Sequence, residues 1–287
     1  MSYSNILYEK KGSVAWITLN RPQVLNALNR DTFLELESAL REAAVLGASV
    51  GLYQLEARSV GVGRLVKRAV VDVASWHRGG NTHLGVALLF IPLAAGAGLT
   101  YARRGRLTPE GVREGAVEVM EASTVEDAAE VYEAIAIAKP SGLGVVEEGA
   151  PDVADPAFKT GLKDRELTLV RVMEEASGWD DVAYELSHGF ESTFNIALPE
   201  LQRVLREVGD LRLAIAQSYL KLLASRPDSF IARCVGVKIT PRLPEAVEAG
   251  RRAAEEVMLR ARRALELGGA LTPSGLEEVE KLDEELK

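Results

Sequence analysis

Cysteine is almost absent from this 287-residue sequence. Cys234 stands alone, which excludes an internal disulfide and a cysteine-rich zinc site and fits a reducing compartment. An excess of positive charge is lacking as well. With a formal net charge of -8 and an isoelectric point of about 5.2, the chain offers no electrostatic footprint for nucleic acid or an anionic membrane, so a small-molecule or protein partner is expected. Apolar runs of membrane length are missing: Leu84 to Leu99 falls short of the ~18–20 residues a span needs and contains Pro92 and three glycines. That run reads as a helix buried on all sides of a soluble bundle. Met1 to Lys11 lacks the apolar core of a signal peptide, and a cytoplasmic location is expected.

What is present is enough apolar material for a substantial core, 47% of residues. The opening "NILYEKKGSVAWITLNR" alternates apolar and polar residues on both sides of Lys11-Gly12-Ser13, as a hairpin does, and Asn29 or Asp31 then caps a helix to about Ala43. An unpaired hairpin edge is compatible with a homo-oligomer. From Val60 onward the spacing is helical, beginning with Val62, Leu65, Val66, Ala69, Val70, Val73 and Trp76. Helices are also predicted from Thr108-Pro109-Glu110, from Ser123 or Thr124 to Ala138, and over 164–176, 180–190, 199–224, 244–267 and 272–287. Pro140 to Phe158 reads as a long loop, and no strand is predicted after the hairpin. The expected fold is mainly all-α, a multi-helix globular bundle with an N-terminal β-hairpin plus helix.

Polar residues concentrate in "HRGGNTHLG". Gly79 and Gly80 allow a tight turn and close approach of backbone to ligand, and Asn81 or Thr82 can cap the helix that follows. The first-turn amides of that helix, with His83 beside them, suit a phosphate, although a plain cap reads equally well. Asp127, Asp152, Asp180, Asp181 and Asp228 are carboxylates that could converge in a helical core to hold a metal or a proton, though each alone is more often a cap or a surface charge. In "RPDSFIAR", Asp228 and Ser229 cap a short helix that carries Arg233 one turn on, a guanidinium placed as a phosphate clamp.

"GGNTHLGVALLFIPLAAGAG", "TVEDAAEVYEAIAIAKPSGLG", Asp152-Val153 and "LASRPDSFIARCVG" follow in the order and rough spacing of the triphosphoribosyl-dephospho-coenzyme A synthase family, which this chain resembles from about Ala48 to Lys287. The resemblance implies an all-helical transferase that joins the triphosphoribosyl group of ATP to dephospho-coenzyme A, or to a similar nucleotide, and releases adenine. It implies Asp127, Asp180 and Asp228 as catalytic carboxylates, and phosphate contacts from Gly79, Gly80, Asn81, Thr82, His83, Ser229 and Arg233. It further implies Mg2+ with ATP, held by Asp127 and Asp152.

Ile6 to Ala43 resembles a different family, the opening strands and helix of an enoyl-coenzyme A hydratase/isomerase (crotonase). The chain thus divides into a crotonase-like segment, 1–43, and a helical transferase-like domain, 44–287. No later strand with the crotonase alanine-glycine-aspartate loop follows, so hydration of an acyl thioester is the weakest expectation. The crotonase-like piece stands where the synthase family has a helix and a proline-glycine segment. The family's asparagine-proline-glycine-threonine stretch is missing before Lys287, and Trp179 precedes Asp180 in place of a basic residue. The alternative reading is therefore a catalytically incomplete helical protein that binds a nucleotide or a partner.

Overall fold

The computed structural model describes residues 3–11, 14–21, 23, 31–32, 57–76, 83–140, 143–147 and 149–286. The chain falls into two compact units, Met1–Val60 with Pro92–Val119 and Gly61–Ile91 with Met120–Lys287. The architecture is mainly α-helical, with two small sheets.

In the first unit β1 (Ile6–Lys11) and β2 (Val14–Leu19) form the expected antiparallel hairpin, with Ile6 opposite Leu19 and Lys11 opposite Val14. Ile6 is buried and Leu7 exposed, the period-two pattern of a strand with one covered face. Asp31 and Thr32 are helical, and the rest of the helix expected to Ala43 lies outside the described residues. The second half of α2 (Leu84–Arg104) packs on α3 (Pro109–Glu121) backbone to backbone. A β-carbon on Gly96 would lie 2.2 Å from the Ala116 nitrogen, and one on Gly115 would lie 2.3 Å from the Gly96 oxygen. Thr108 Oγ1 accepts the Gly111 amide at 3.1 Å, so the predicted cap with Pro109 in the first turn is the one the fold uses.

Two sequence expectations for α2 need correction. The helix continues past Leu99 to Arg104, and at 21 residues it is long and apolar enough to cross a membrane. Nor is it buried on all sides: Val86 and Phe90 are 47% and 54% exposed, and 39% of its most apolar stretch is buried. The glycine contact with α3 is that of a core helix, and Val86 and Phe90 lie on its first two turns.

The second unit opens with α1 (Val62–Trp76), whose Val62, Val66 and Val70 are buried at four-residue spacing. It packs on α4 (Val125–Ala138) so closely that a β-carbon on Gly63 would lie 2.1 Å from the Asp127 carbonyl oxygen. The loop after α4 is tethered. Tyr132 Oη donates to the Pro151 carbonyl at 2.8 Å, and β3 (Val145–Val146) pairs in parallel with β4 (Arg242–Leu243), a pairing too short to leave any periodic signal in sequence.

The helix predicted over 164–176 forms only as α6 (Leu169–Ala176); a separate helix, α5 (Phe158–Asp164), precedes it, and Glu166 takes a left-handed conformation at φ 51° between the two. Next come α7 (Asp181–Ser187) and a π-helical turn, Thr193–Ala197, over which the buried Glu185 carboxylate accepts the Ser192 and Thr193 amides. The helix predicted over 199–224 is also two, α8 (Leu198–Val208) and α9 (Leu211–Ser225). Gly209 ends the first at φ 73°, and Asp210 caps the second through the Arg212 and Leu213 amides.

The last three helices are α10 (Ser229–Gly236), α11 (Glu245–Glu266) and α12 (Pro273–Leu286). Leu220, Leu223, Val257, Ala261, Ala264 and Leu282 make a shared core for α9, α11 and α12. The α10–α11 contact is built on small residues: β-carbons on Gly236 and Gly250 would lie 1.6 and 1.9 Å from the carbonyl oxygens of Ala246 and Ala232.

Candidate functional site

The N-termini of α7 and α10 meet. Asp180 is the N-cap of α7, with Oδ1 accepting the Ala183 amide at 3.0 Å, and Asp228 is the N-cap of α10, with Oδ1 accepting the Ile231 amide at 2.9 Å. One residue inside each cap the two helices bind each other reciprocally. The Asp181 amide donates to Ser229 Oγ and the Ser229 amide donates to Asp181 Oδ2, both at 2.8 Å.

Two guanidiniums close this junction. Arg233 Nη1 donates to Asp180 Oδ2 at 2.9 Å, with both side chains about four-fifths buried. Arg226 pairs with Asp181 and lies over the Tyr184 ring, 4.2 Å from its centroid, while that ring stacks on His188. Burial lowers the Arg226 pKa, and the Asp228 and Asp180 carboxylates oppose that shift, so this cation answers to both caps. Within this set of three carboxylates and two guanidiniums, Arg233 Nε is buried and has no hydrogen-bond partner. A buried guanidinium N–H left open is costly unless something docks on it, and a phosphate or carboxylate oxygen satisfies it best.

The start of α2 borders the same place, since a β-carbon on Gly85 would lie 3.9 Å from Val182 Cγ2 on α7. His83, partly buried, is the N-cap residue of α2: its carbonyl accepts the Ala87 amide at 2.9 Å. The other cap candidates, Asn81 and Thr82, lie with Gly79 and Gly80 outside the described residues.

Asp127 and Asp152 are engaged elsewhere. Asp127 Oδ1 accepts the Gly63 amide at 2.8 Å, and its Oδ2 accepts the Thr124 amide and hydroxyl, each at 2.9 Å, in a capping box. One buried carboxylate thus caps both α4 and the neighbouring α1. Asp152 accepts the Val146 and Ala154 amides, both at 2.6 Å, and so folds the loop onto β3. These bonds fill the carboxylates that the sequence offered for a metal, and among the described residues no three His, Cys, Asp or Glu side chains form a metal cage. The pair does not fit a resident cation. Replacing Asp127 with alanine should lower unfolding free energy by about 2–4 kcal/mol in urea melts, since it orphans amides at two helix starts. Turnover per folded molecule should persist.

The structure thus brings together Asp180, Asp228, Ser229 and Arg233 and keeps Asp127 and Asp152 out of their hydrogen bonds. Sequence reasoning does not single out Arg226 or Tyr184. The one available signal for Arg226 is its place before Pro227-Asp228, where a cap holds the chain rigid.

A model of the family CitG: ATP:dephospho-CoA triphosphoribosyl transferase matches residues 30–287. The chain belongs to that family. The CitG match begins within the segment that resembles a crotonase. A crystal structure from Archaeoglobus fulgidus, assigned as a triphosphoribosyl-dephospho-coA synthase, shares the fold at a TM-score of 0.54 and 21% identity, over 85% of this chain and 87% of that one. The N-terminal segment is similar to other proteins. Short-chain-enoyl-CoA hydratase of Clostridium acetobutylicum is 48% identical over 42 residues, 15% of this chain and 16% of the hydratase. Crotonyl-CoA hydratase of Syntrophomonas wolfei is 48% identical over 40 residues, 14% of this chain and 15% of that protein. This CitG-family chain spans about one sixth of the length of those curated relatives.

Proposed function

We propose that this protein transfers the triphosphoribosyl group of ATP to dephospho-CoA and releases adenine. Membership in the family supports the reaction, and the open Arg233 Nε inside the α7–α10 junction is the observation that supports the place. In the reaction the bond between ribose C1′ and adenine breaks with its electron pair leaving on the base. A dephospho-CoA ribose hydroxyl bonds to C1′, and its proton ends on adenine. The transition state gathers positive charge at C1′, which Asp180 and Asp228 are suited to stabilise, and one of them can take the hydroxyl proton. Arg233 and Ser229 hold phosphate oxygens, with the glycine-rich head at 79–82 and His83 contributing from the start of α2. Mg2+ comes with the ATP substrate. A soluble cytoplasmic enzyme with a crotonase-like leader, 1–43, fits this reading.

The test is adenine release from MgATP by the purified chain with dephospho-CoA, followed by mass analysis of the coenzyme product. Stoichiometric adenine and a triphosphoribosyl adduct are expected. ATP binding without adenine would favour the catalytically incomplete alternative.

A further inference from the structure

Among the described residues, three strongly exposed large apolar side chains are aromatic: Phe90, Tyr219 and Phe230. Two of them belong to the neighbourhood of Asp228. Phe230 is two residues beyond that cap, in the first turn of α10, and is 53% exposed. Tyr219, on α9, is 60% exposed, yet packing around its hydroxyl and the nearby Asp228 carboxylate both push its pKa up. Large aromatic faces are normally covered because each carries a heavy burden of apolar surface. Leaving two uncovered beside a polar junction needs a reason.

Phe230 has a cation for a neighbour. The Arg233 guanidinium carbon lies 5.8 Å from its ring centroid, one helical turn away on the same face, and that guanidinium is the one with the open Nε. A flat apolar face next to an unsatisfied phosphate donor is a matched pair for a nucleotide: one ribose links a base to its 5′-phosphate, and the two groups of the protein are separated by a similarly short step. We propose that Phe230 is the stacking platform for the adenine base of a bound nucleotide whose phosphate docks on Arg233. This rests on the transferase reading above and adds the residue that recognises the base. Two substrates of that reaction carry adenine, ATP and dephospho-CoA, and the shared chemistry is a purine nucleoside phosphate.

The test compares wild type, Phe230→Leu and Phe230→Trp by isothermal titration with ATP, dephospho-CoA and inorganic tripolyphosphate. Leucine keeps the apolar surface and removes the π-face, and an exposed site tolerates both changes. Phe230→Leu should weaken one of the two nucleotides by about tenfold and leave tripolyphosphate unchanged, while Phe230→Trp retains nucleotide affinity. The nucleotide that loses affinity identifies whose base is stacked. Unchanged affinity for both nucleotides in Phe230→Leu overturns the platform and leaves the transferase standing. Equal loss of tripolyphosphate and nucleotide also overturns it, because the ring would then be shaping the phosphate site. If wild type binds neither nucleotide, the platform and the transferase reading fall together.

Discussion

Arg233→Ala lowers the rate of adenine release by about 10²–10³-fold, a loss of roughly 3–4 kcal/mol of the kind seen when a preorganised donor is removed. Two deficits combine in this variant. The phosphate loses the donor that waits for it, and Asp180 loses the partner that holds it at 2.9 Å, so the carboxylate no longer points where charge develops. Arg233→Lys should recover little, because an ammonium supplies a point charge without the fork needed to hold Asp180 and a phosphate at once. Folding should suffer less than catalysis, since α10 keeps its Asp228 cap and its reciprocal bonds with Asp181. Single-turnover adenine release beside thermal melts of the same samples decides the matter: a fall in melting temperature with undiminished release would remove Arg233 from the site.

Gly250→Val carries the largest expected cost in stability. Even the first added carbon would sit 1.9 Å from the Ala232 carbonyl oxygen, a backbone atom that no rotamer change can move. Relief requires α10 to lift off α11, exposing Ala232 and Ala246, both buried. Overpacking of this kind exceeds the usual ~1–3 kcal/mol range, because the clash is with main chain. The variant should unfold at markedly lower urea and lose adenine release. Gly209→Ala is the useful contrast: nothing stands within 4 Å there, and the cost is only that of a left-handed φ of 73°. Equal midpoints for the two variants would contradict the packing described for α10.

The fold was readable wherever one residue's chemistry sufficed. Thr124 with Asp127, Asp180, Asp228 and Thr108 with Pro109 all signal helix starts, and each is one. Buried valines spaced by four made α1 visible. Breaks were harder. Gly209-Asp210 is a stop followed by a start, but apolar spacing on both sides of it resembles one long helix. Arg165-Glu166-Leu167, which separates α5 from α6, holds neither glycine nor proline, and its turn is closed by the Leu167 amide donating to the Leu162 carbonyl. At the site, Asp180, Ser229 and Arg233 were legible one by one. Their meeting was not, because Asp181 and Ser229 bond across 48 residues of chain, and the register of that bond is set by how α10 seats on α11.

The double cap made by Asp127 ties the fates of two helices. Fraying the first turn of α1 frees the Gly63 amide and strips Asp127 of a donor while it is still buried, which weakens its hold on Thr124. Fraying α4 does the same in reverse. Neither end gains by opening alone, so the two starts open as one cooperative unit.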